Sequence, residues 1–371
     1  MPALDIVIHA LAFLVGLAVV ARTVFGAIRT IVLPRGSNDG VTRLVFLVTG
    51  WAFARLAGPG QPYRHRDRVL AYYAPISLIV LPAVWLVLVW LGYAGMYWAI
   101  GTGSVGETLR LSGSSLLTLG SVTSGLPLAT ALEFSEAAVG LLLLALLISY
   151  LPTIYSAFSR RELLVNMLEV RADSPPSAVV MLTRFHRLHG LDALHEQWVR
   201  WEQWFSELEE THSSLPVLVF YRSQQPDHSW VNAAGAVMDS AAMTRAAVDI
   251  PMDVQADLAI RAGYLALRRI ADFFYIRYDP EPRPTDPISI DRPRFDRALD
   301  VLASAGIPLR ADRDQAWRDF SGWRVNYDTV LRALEQLTTA PVSWWERPMA
   351  SAYVTDEPEL REAEASAPAA S

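Results

Sequence analysis

Two stretches of the chain run longer than a bilayer core without a single charged side chain, Val69 to Ile100 and Ala137 to Ser159. A helix crosses hydrocarbon with roughly 20 apolar residues, so both are predicted spans. Ile6 to Ala21 is shorter, but Thr23 to Ile28 is again uncharged. A tilted helix with Arg22 or Arg29 reaching toward an interface makes this a third span. A cleaved leader would need a basic start, and Met1 to Asp5 offers only an acid. Leu44 to Ala54 is apolar but too short to cross, and arginines flank both its ends. It reads as a helix lying on the membrane surface, broken by Gly58, Pro59, Gly60 and Pro62 before the next span. Tyr72 and Tyr73 at one end of that span, and Tyr93, Tyr97 and Trp98 at the other, fit aromatic belts at the two interfaces.

After Arg160 the apolar spacing becomes that of amphipathic helices with short breaks. The predicted helices are 159–171, 177–188, 192–211, 229–248, 254–274, 294–305 and 315–337, with 215–221 the one strand candidate. The proline-rich 279–293 reads as a linker or wrapping loop. The pattern therefore predicts an all-α membrane protein with three transmembrane helices, a re-entrant helix and loop, and a helical cytoplasmic C-terminal domain. The divisions are 1–33 (first span), 34–68 (basic loop), 69–159 (span, re-entrant 104–127 and last span), 160–352 (helical domain) and 353–371 (an acidic, alanine-rich tail expected to be disordered).

Orientation follows from arginines beside the spans. Arg35, Arg43, Arg55, Arg64, Arg66 and Arg68 lie between the first and second, and Arg160, Arg161 and Arg171 follow the last. The linker between the second and last spans holds Arg110 alone against Glu107, Glu133 and Glu136. A multi-pass plasma-membrane protein with its N-terminus outside and its C-terminal domain in the cytoplasm results.

Leu111 to Leu132 is also uncharged, but eight Ser or Thr with Gly113, Gly120, Gly125 and Pro127 suit no lipid-facing helix. A crossing here would put the basic flank at Arg160 outside, so the segment is expected to enter the bilayer and return. Such backbone is tolerated where protein buries it or where it lines water. Span, short helix, glycine loop and second span together resemble the pore module of the potassium-channel superfamily, over about Val69 to Arg161.

In that family a Thr-x-x-Thr-x-Gly-Tyr-Gly signature turns backbone carbonyls toward permeant ions. Ser115 and Thr118 match its threonines, Leu119 the aliphatic position and Gly120 the first glycine. Ser121 and Val122 stand where the aromatic residue and second glycine would be. A β-branched valine resists positive φ, so the resemblance implies a wider, shorter or differently coordinated constriction with altered K⁺ selectivity. It further implies the Thr118 hydroxyl and the carbonyls of Thr118 and Leu119 as inner ligands for K⁺ or Na⁺, and Glu133 and Glu136 at the outer mouth. Gly140 would be a hinge and Pro152 would lie near a gate, with Ser149 and Thr153 facing water. One loop cannot surround an axis, so a homotetramer in membrane lipid is implied. Gly140 as a packing glycine, and the two glutamates as mere partners of a helix dipole, are the plainer readings.

The chain has no cysteine and no lysine. That excludes disulfides, thiolate metal sites, a Schiff base and a P-loop lysine, and the arginine-only usage fits a GC-rich bacterial gene. A net charge of −6 gives no footprint for nucleic acid. His186 and His189 lie one helical turn apart, weak candidates for a metal, and no cofactor motif is present. Trp198, Trp201, Trp204, Phe205 and Leu208 form an apolar stripe for packing or subunit contact. Apart from His9 in the first, no predicted span carries a histidine, and none carries the paired acids that intramembrane chemistry requires, so an enzyme is not expected. A membrane-anchored sensor or scaffold whose helical domain binds a partner is the alternative.

Overall fold

The computed structural model describes residues 2–31, 40–58, 60–188, 190–225 and 227–341. Arg35, His189 and the acidic tail lie outside the described residues. Thirteen α-helices occur among the described residues: α1 (Pro2–Ile31), α2 (Gly40–Ala57), α3 (Tyr63–Leu70), α4 (Tyr73–Ala99), α5 (Val105–Leu116), α6 (Pro127–Ala172), α7 (Ala178–Leu188), α8 (Leu194–Ser214), α9 (Trp230–Ala247), α10 (Val254–Phe273), α11 (Arg292–Ser304), α12 (Arg313–Arg324) and α13 (Asp328–Thr338). No strand is present among them, only an isolated bridge between Val248 and Leu309. The fold is all-helical, and four segments are long and apolar enough to cross a membrane: Leu4–Ile31, Gly40–Ala57, Tyr63–Ala99 and Pro127–Ala172.

Two predicted elements are corrected. Residues 216–220, within the strand candidate, form a 3₁₀ turn opened by Pro216, whose fixed φ and missing N–H suit a helical first position. The predicted helix 315–337 is two helices. The Asn326 side chain donates to the carbonyls of Gly322 and Trp323, drawing off acceptors at the end of α12.

The chain forms two compact units, residues 1–164 with 207–226 and 272–274, and residues 165–206 with 227–271 and 275 onward. In the first, α1 and α4 pack antiparallel through glycines. A Cβ on Gly16 would meet the Gly92 carbonyl oxygen at 2.4 Å, and one on Gly92 would meet Val20 at 2.7 Å. Small residues let membrane helices approach this closely. His9 meets Trp98 edge to face, with ring centroids 4.6 Å apart.

The apolar run 44–54 is extended at both ends into α2, 18 residues long and sufficient by length and composition to cross. Its contacts give it an unexpected course. In the α1–α4 register set by His9–Trp98 and Gly16–Gly92, Thr30 comes level with Ser77 or Leu78. The Thr30 hydroxyl meets that of Thr42 at 3.1 Å, and Ser77 meets Thr49 at 2.8 Å. Thr42 and Thr49 are two turns apart, about 10 Å along α2, yet they touch the pair at one level. Helix α2 therefore lies across α1 and α4 instead of running beside them.

The last span lies within one unbroken 46-residue helix, α6, about 69 Å long at 1.5 Å per residue. Arg161 on α6, one of the arginines that follow the last predicted span, is buried. It donates to the carbonyls of Leu218 and Tyr221, each at 2.7 Å, pairs with Glu162 at 2.8 Å, and donates toward His212 Nε2 at 3.3 Å. These bonds hold the 3₁₀ turn, whose Val217 and Leu218 pack with Ala74 and Leu78 of α4 and Ile154 and Ala157 of α6. Arg222, two residues past Phe220, pairs with Asp67 of α3.

His212 Nδ1 lies 3.0 Å from the Leu208 carbonyl, which can only accept, so Nδ1 bears the proton and Nε2 is left to accept from Arg161. Burial first, and the adjacent Arg161 charge second, hold this imidazole well below its ordinary value of 6.5. The unfolded chain then binds the proton more readily than the folded one. Stability from this cluster is complete above about pH 6.5 and falls as pH drops below it. Detergent-solubilised protein is expected to show a falling thermal midpoint from pH 7 to pH 5, with a flatter profile in His212→Gln; parallel profiles would refute this linkage.

In the second unit α9 is buried on all sides, a strip of small residues with Gly235 against Leu331. It carries an acid, Asp239, into the core. Buried Arg324 pairs with Asp239 and, at 2.8 Å, with Asp328, while the Tyr327 hydroxyl donates to Asp239 at 2.7 Å. Asp328 also accepts from the Ser289 amide and hydroxyl, fixing the proline-rich segment to α13. Trp198, Trp201, Trp204 and Phe205, which belong to this unit, are all buried, as a packing stripe would be; Leu208 is buried too but belongs to the first unit.

Candidate functional site

The re-entrant segment begins with a capping box. The Ser104 hydroxyl accepts from the Glu107 amide, and the Glu107 carboxylate accepts from the Ser104 amide at 2.7 Å. Ser-x-x-Glu ahead of an apolar run is a sequence signal for a helix start, and α5 begins at Val105, directly after Ser104, and ends at Leu116.

Helix α5 is fastened on two sides. Trp90 Nε1 donates to the Leu109 carbonyl at 2.9 Å, and Ser112 Oγ lies 2.8 Å from the Trp90 carbonyl. On the other side Ser112 meets the Glu136 carboxyl of α6, which also accepts from the Tyr97 hydroxyl at 3.0 Å. Glu136 is fully buried, so the expectation of a solvated outer-mouth acid is corrected: its carboxyl points between α4 and α5. Tyr97 and Tyr93 are corrected with it. Both are buried, Tyr93 bonding to Ser135 at 2.9 Å, and neither forms an exposed interfacial belt. Glu133, one turn earlier on α6, accepts from the Ser124 amide at 2.8 Å and ties down the returning loop.

Beyond α5 the chain turns sharply. Thr118 has φ +55° and Gly120 φ +65°. Left-handed backbone is open to glycine, and a Thr adopts it at an expense of roughly 1–2 kcal/mol. Gly120 behaves as its residue type predicts; Thr118 does not, and Val122 keeps to negative φ. The Val122 amide donates to Ser114 Oγ at 3.1 Å, and Thr130 Oγ1 lies 3.3 Å from the Ser124 carbonyl. The loop is thus pinned to α5 and α6, while Thr118, Leu119, Gly120, Ser121 and Val122 are exposed and Ser115 is half-buried on α5.

A Cβ on Gly140 of α6 would lie 2.4 Å from the Leu116 carbonyl oxygen, so the helix comes close to the end of α5 there. Further along α6, Pro152 sits inside the helix, and the exposed Ser149 and Thr153 hydroxyls bond to the carbonyls of Leu146 and Ser149. Ser112, Ser114, Trp90 and Tyr97, which hold the segment together, were missed by the sequence reading. Their partners are 8 to 39 residues away, beyond any local spacing rule.

His186 is half-buried on α7, and its partner in the metal reading lies outside the described residues. No group of three metal-ligating side chains occurs among the described residues. No family model matches this chain, and no similar curated protein or solved structure was found.

Proposed function

We propose that this chain is the subunit of a cation channel, resembling potassium channels, in which several copies, four by the resemblance, surround an axis lined by residues 115–122. The observation that carries this reading is α5 itself. A capped helix lies clamped between two apolar helices, and its C-terminal end, where the negative end of the dipole lies, opens into an exposed loop pinned at both ends. Exposed apolar side chains on that loop, Leu119 at 66% and Val122 at 40%, are what neighbouring copies would cover. K⁺ or Na⁺ would meet the carbonyls of Thr118 and Leu119, and Ser121 with Val122 would give a selectivity unlike that of the family signature.

The proposal keeps three crossings, α1, α4 and α6, with α2 lying on the inner surface. The course of α2 across α1 and α4 supports this, as do Arg43, Arg55, Arg64, Arg66 and Arg68 on or beside it. It sets the N-terminus outside and the second unit in the cytoplasm of a plasma membrane, with regulation reaching the pore through α6. No enzymatic role, nucleic acid or cofactor is part of it.

The test is ion uptake into liposomes holding purified protein, with Na⁺ and K⁺ compared. Wild type is expected to pass both, and a Ser121→Tyr, Val122→Gly double variant to shift the ratio toward K⁺. Silence of both proteins with either ion, together with a monomer in detergent, would sink the channel reading and leave the scaffold alternative.

A further inference from the structure

Ser112 owns one hydroxyl proton and lies within bonding distance of two oxygens, the Trp90 carbonyl at 2.8 Å and Glu136 Oε1 at 2.5 Å. A carbonyl only accepts. If Glu136 were a carboxylate, both neighbours would be pure acceptors competing for one proton, and one of the two close contacts would set lone pair against lone pair. A proton on Oε1 resolves the conflict. Glu136 then donates to Ser112, Ser112 donates to Trp90, and the Tyr97 hydroxyl donates to the carbonyl-type Oε2 at 3.0 Å. Every donor has one acceptor, and the chain runs from α6 through α5 to α4.

We infer that Glu136 is a neutral carboxylic acid whose proton pins α5 between α4 and α6, and that losing this proton releases the loop that follows α5. The surroundings agree. The groups acting on Glu136 are Tyr97 on α4, Ser112 on α5 and Glu133 on α6 itself, and Glu136 in turn acts on Tyr93 of α4. None is basic. An unpaired charge in so buried a place is strongly disfavoured. Glu133 adds like-charge repulsion, and its own carboxylate is occupied by the Ser124 amide. Ionisation would leave Ser112 with two acceptors and set a negative charge against α5, loosening it toward the loop it carries. Glu136 is therefore a positioning residue, and the control it exerts on ion passage rests on the channel reading above; its protonation does not.

Infrared spectra of the full chain in detergent test the proton directly. At pH 7 the wild type is expected to show a carboxylic-acid carbonyl band that is missing in Glu136→Gln and retained in Glu133→Gln. The amide of Glu136→Gln reproduces the proposed bonding, its nitrogen donating to Ser112 and its oxygen accepting from Tyr97, so this variant is expected to keep its fold. Identical wild-type and Glu136→Gln spectra would overturn the inference. In liposomes, wild-type flux is expected to change as pH is raised while the Glu136→Gln profile stays flat; parallel profiles would overturn the regulatory half. If no protein passes ions at any pH, the channel reading fails and the infrared band still decides the proton.

Discussion

Replacing Arg324 with methionine is expected to destabilise the second unit by about 3–5 kcal/mol, the usual effect of removing one partner from a buried ion pair. The guanidinium is fully buried and serves Asp239 from α9 and Asp328 from α13. Without it Asp239 and Asp328 both lose the guanidinium that pairs with them, and the Ser289 contacts of Asp328 cannot neutralise a charge. Trp198, Trp201 and Trp204 are buried in the same unit, so tryptophan fluorescence during denaturant titration of the full chain reads the loss. An Asp239→Asn, Arg324→Met, Asp328→Asn triple variant should recover part of it, since removing all the charges is far less damaging than removing one. An unchanged midpoint in Arg324→Met would show that the cluster is not what holds α9.

The second large effect is expected at Gly140. Alanine there places a Cβ 2.4 Å from the Leu116 carbonyl oxygen, and backbone cannot step aside as a flexible side chain can. Overpacking of this kind costs about 1–3 kcal/mol, and the displaced group is the last turn of α5, directly before Thr118. Gly140→Ala is therefore expected to lower the thermal midpoint and, if the proposed channel reading holds, to abolish ion uptake with it. Ser149→Ala, at an exposed site on the same helix, should change stability by no more than about 0.5 kcal/mol. The hinge reading predicts otherwise: reduced uptake with an unaltered midpoint. Measuring both quantities on one preparation separates packing from hinge.

Helices α4 and α6 were legible because uncharged runs of such length have few alternatives, and α5 was legible in outline because hydroxyls and glycines interrupt the apolar pattern there. Its start was written plainly in Ser104 and Glu107. The turn at Thr118 was not, since nothing in a threonine announces a positive φ. The burial of Glu136 and Arg161 was hidden for a related reason: each is an ordinary surface residue by type, made internal by partners distant in sequence. For Arg161 those partners, Leu218 and Tyr221, stood within the only stretch that looked like a strand. There the continuous apolar run from Val217 to Tyr221 was real, but Pro216 and the arginine's demand for free carbonyls favoured a turn. Length misled at α2, where the apolar core was judged alone and the helix gained residues from both flanks.

The segment 207–226 belongs to the same compact unit as residues 1–164. A ribosome making this chain finishes α6 long before it makes the residues that cover Ile154 and Ala157 and engage Arg161. The carbonyls of Leu218 and Tyr221 lie 57 and 60 residues past Arg161, on the order of 3–12 s of synthesis. During that interval the lower part of α6 carries an arginine without the carbonyls of Leu218 and Tyr221, and a bare apolar face. A gene truncated after the last crossing would therefore not yield a minimal membrane fragment but a permanently unfinished one.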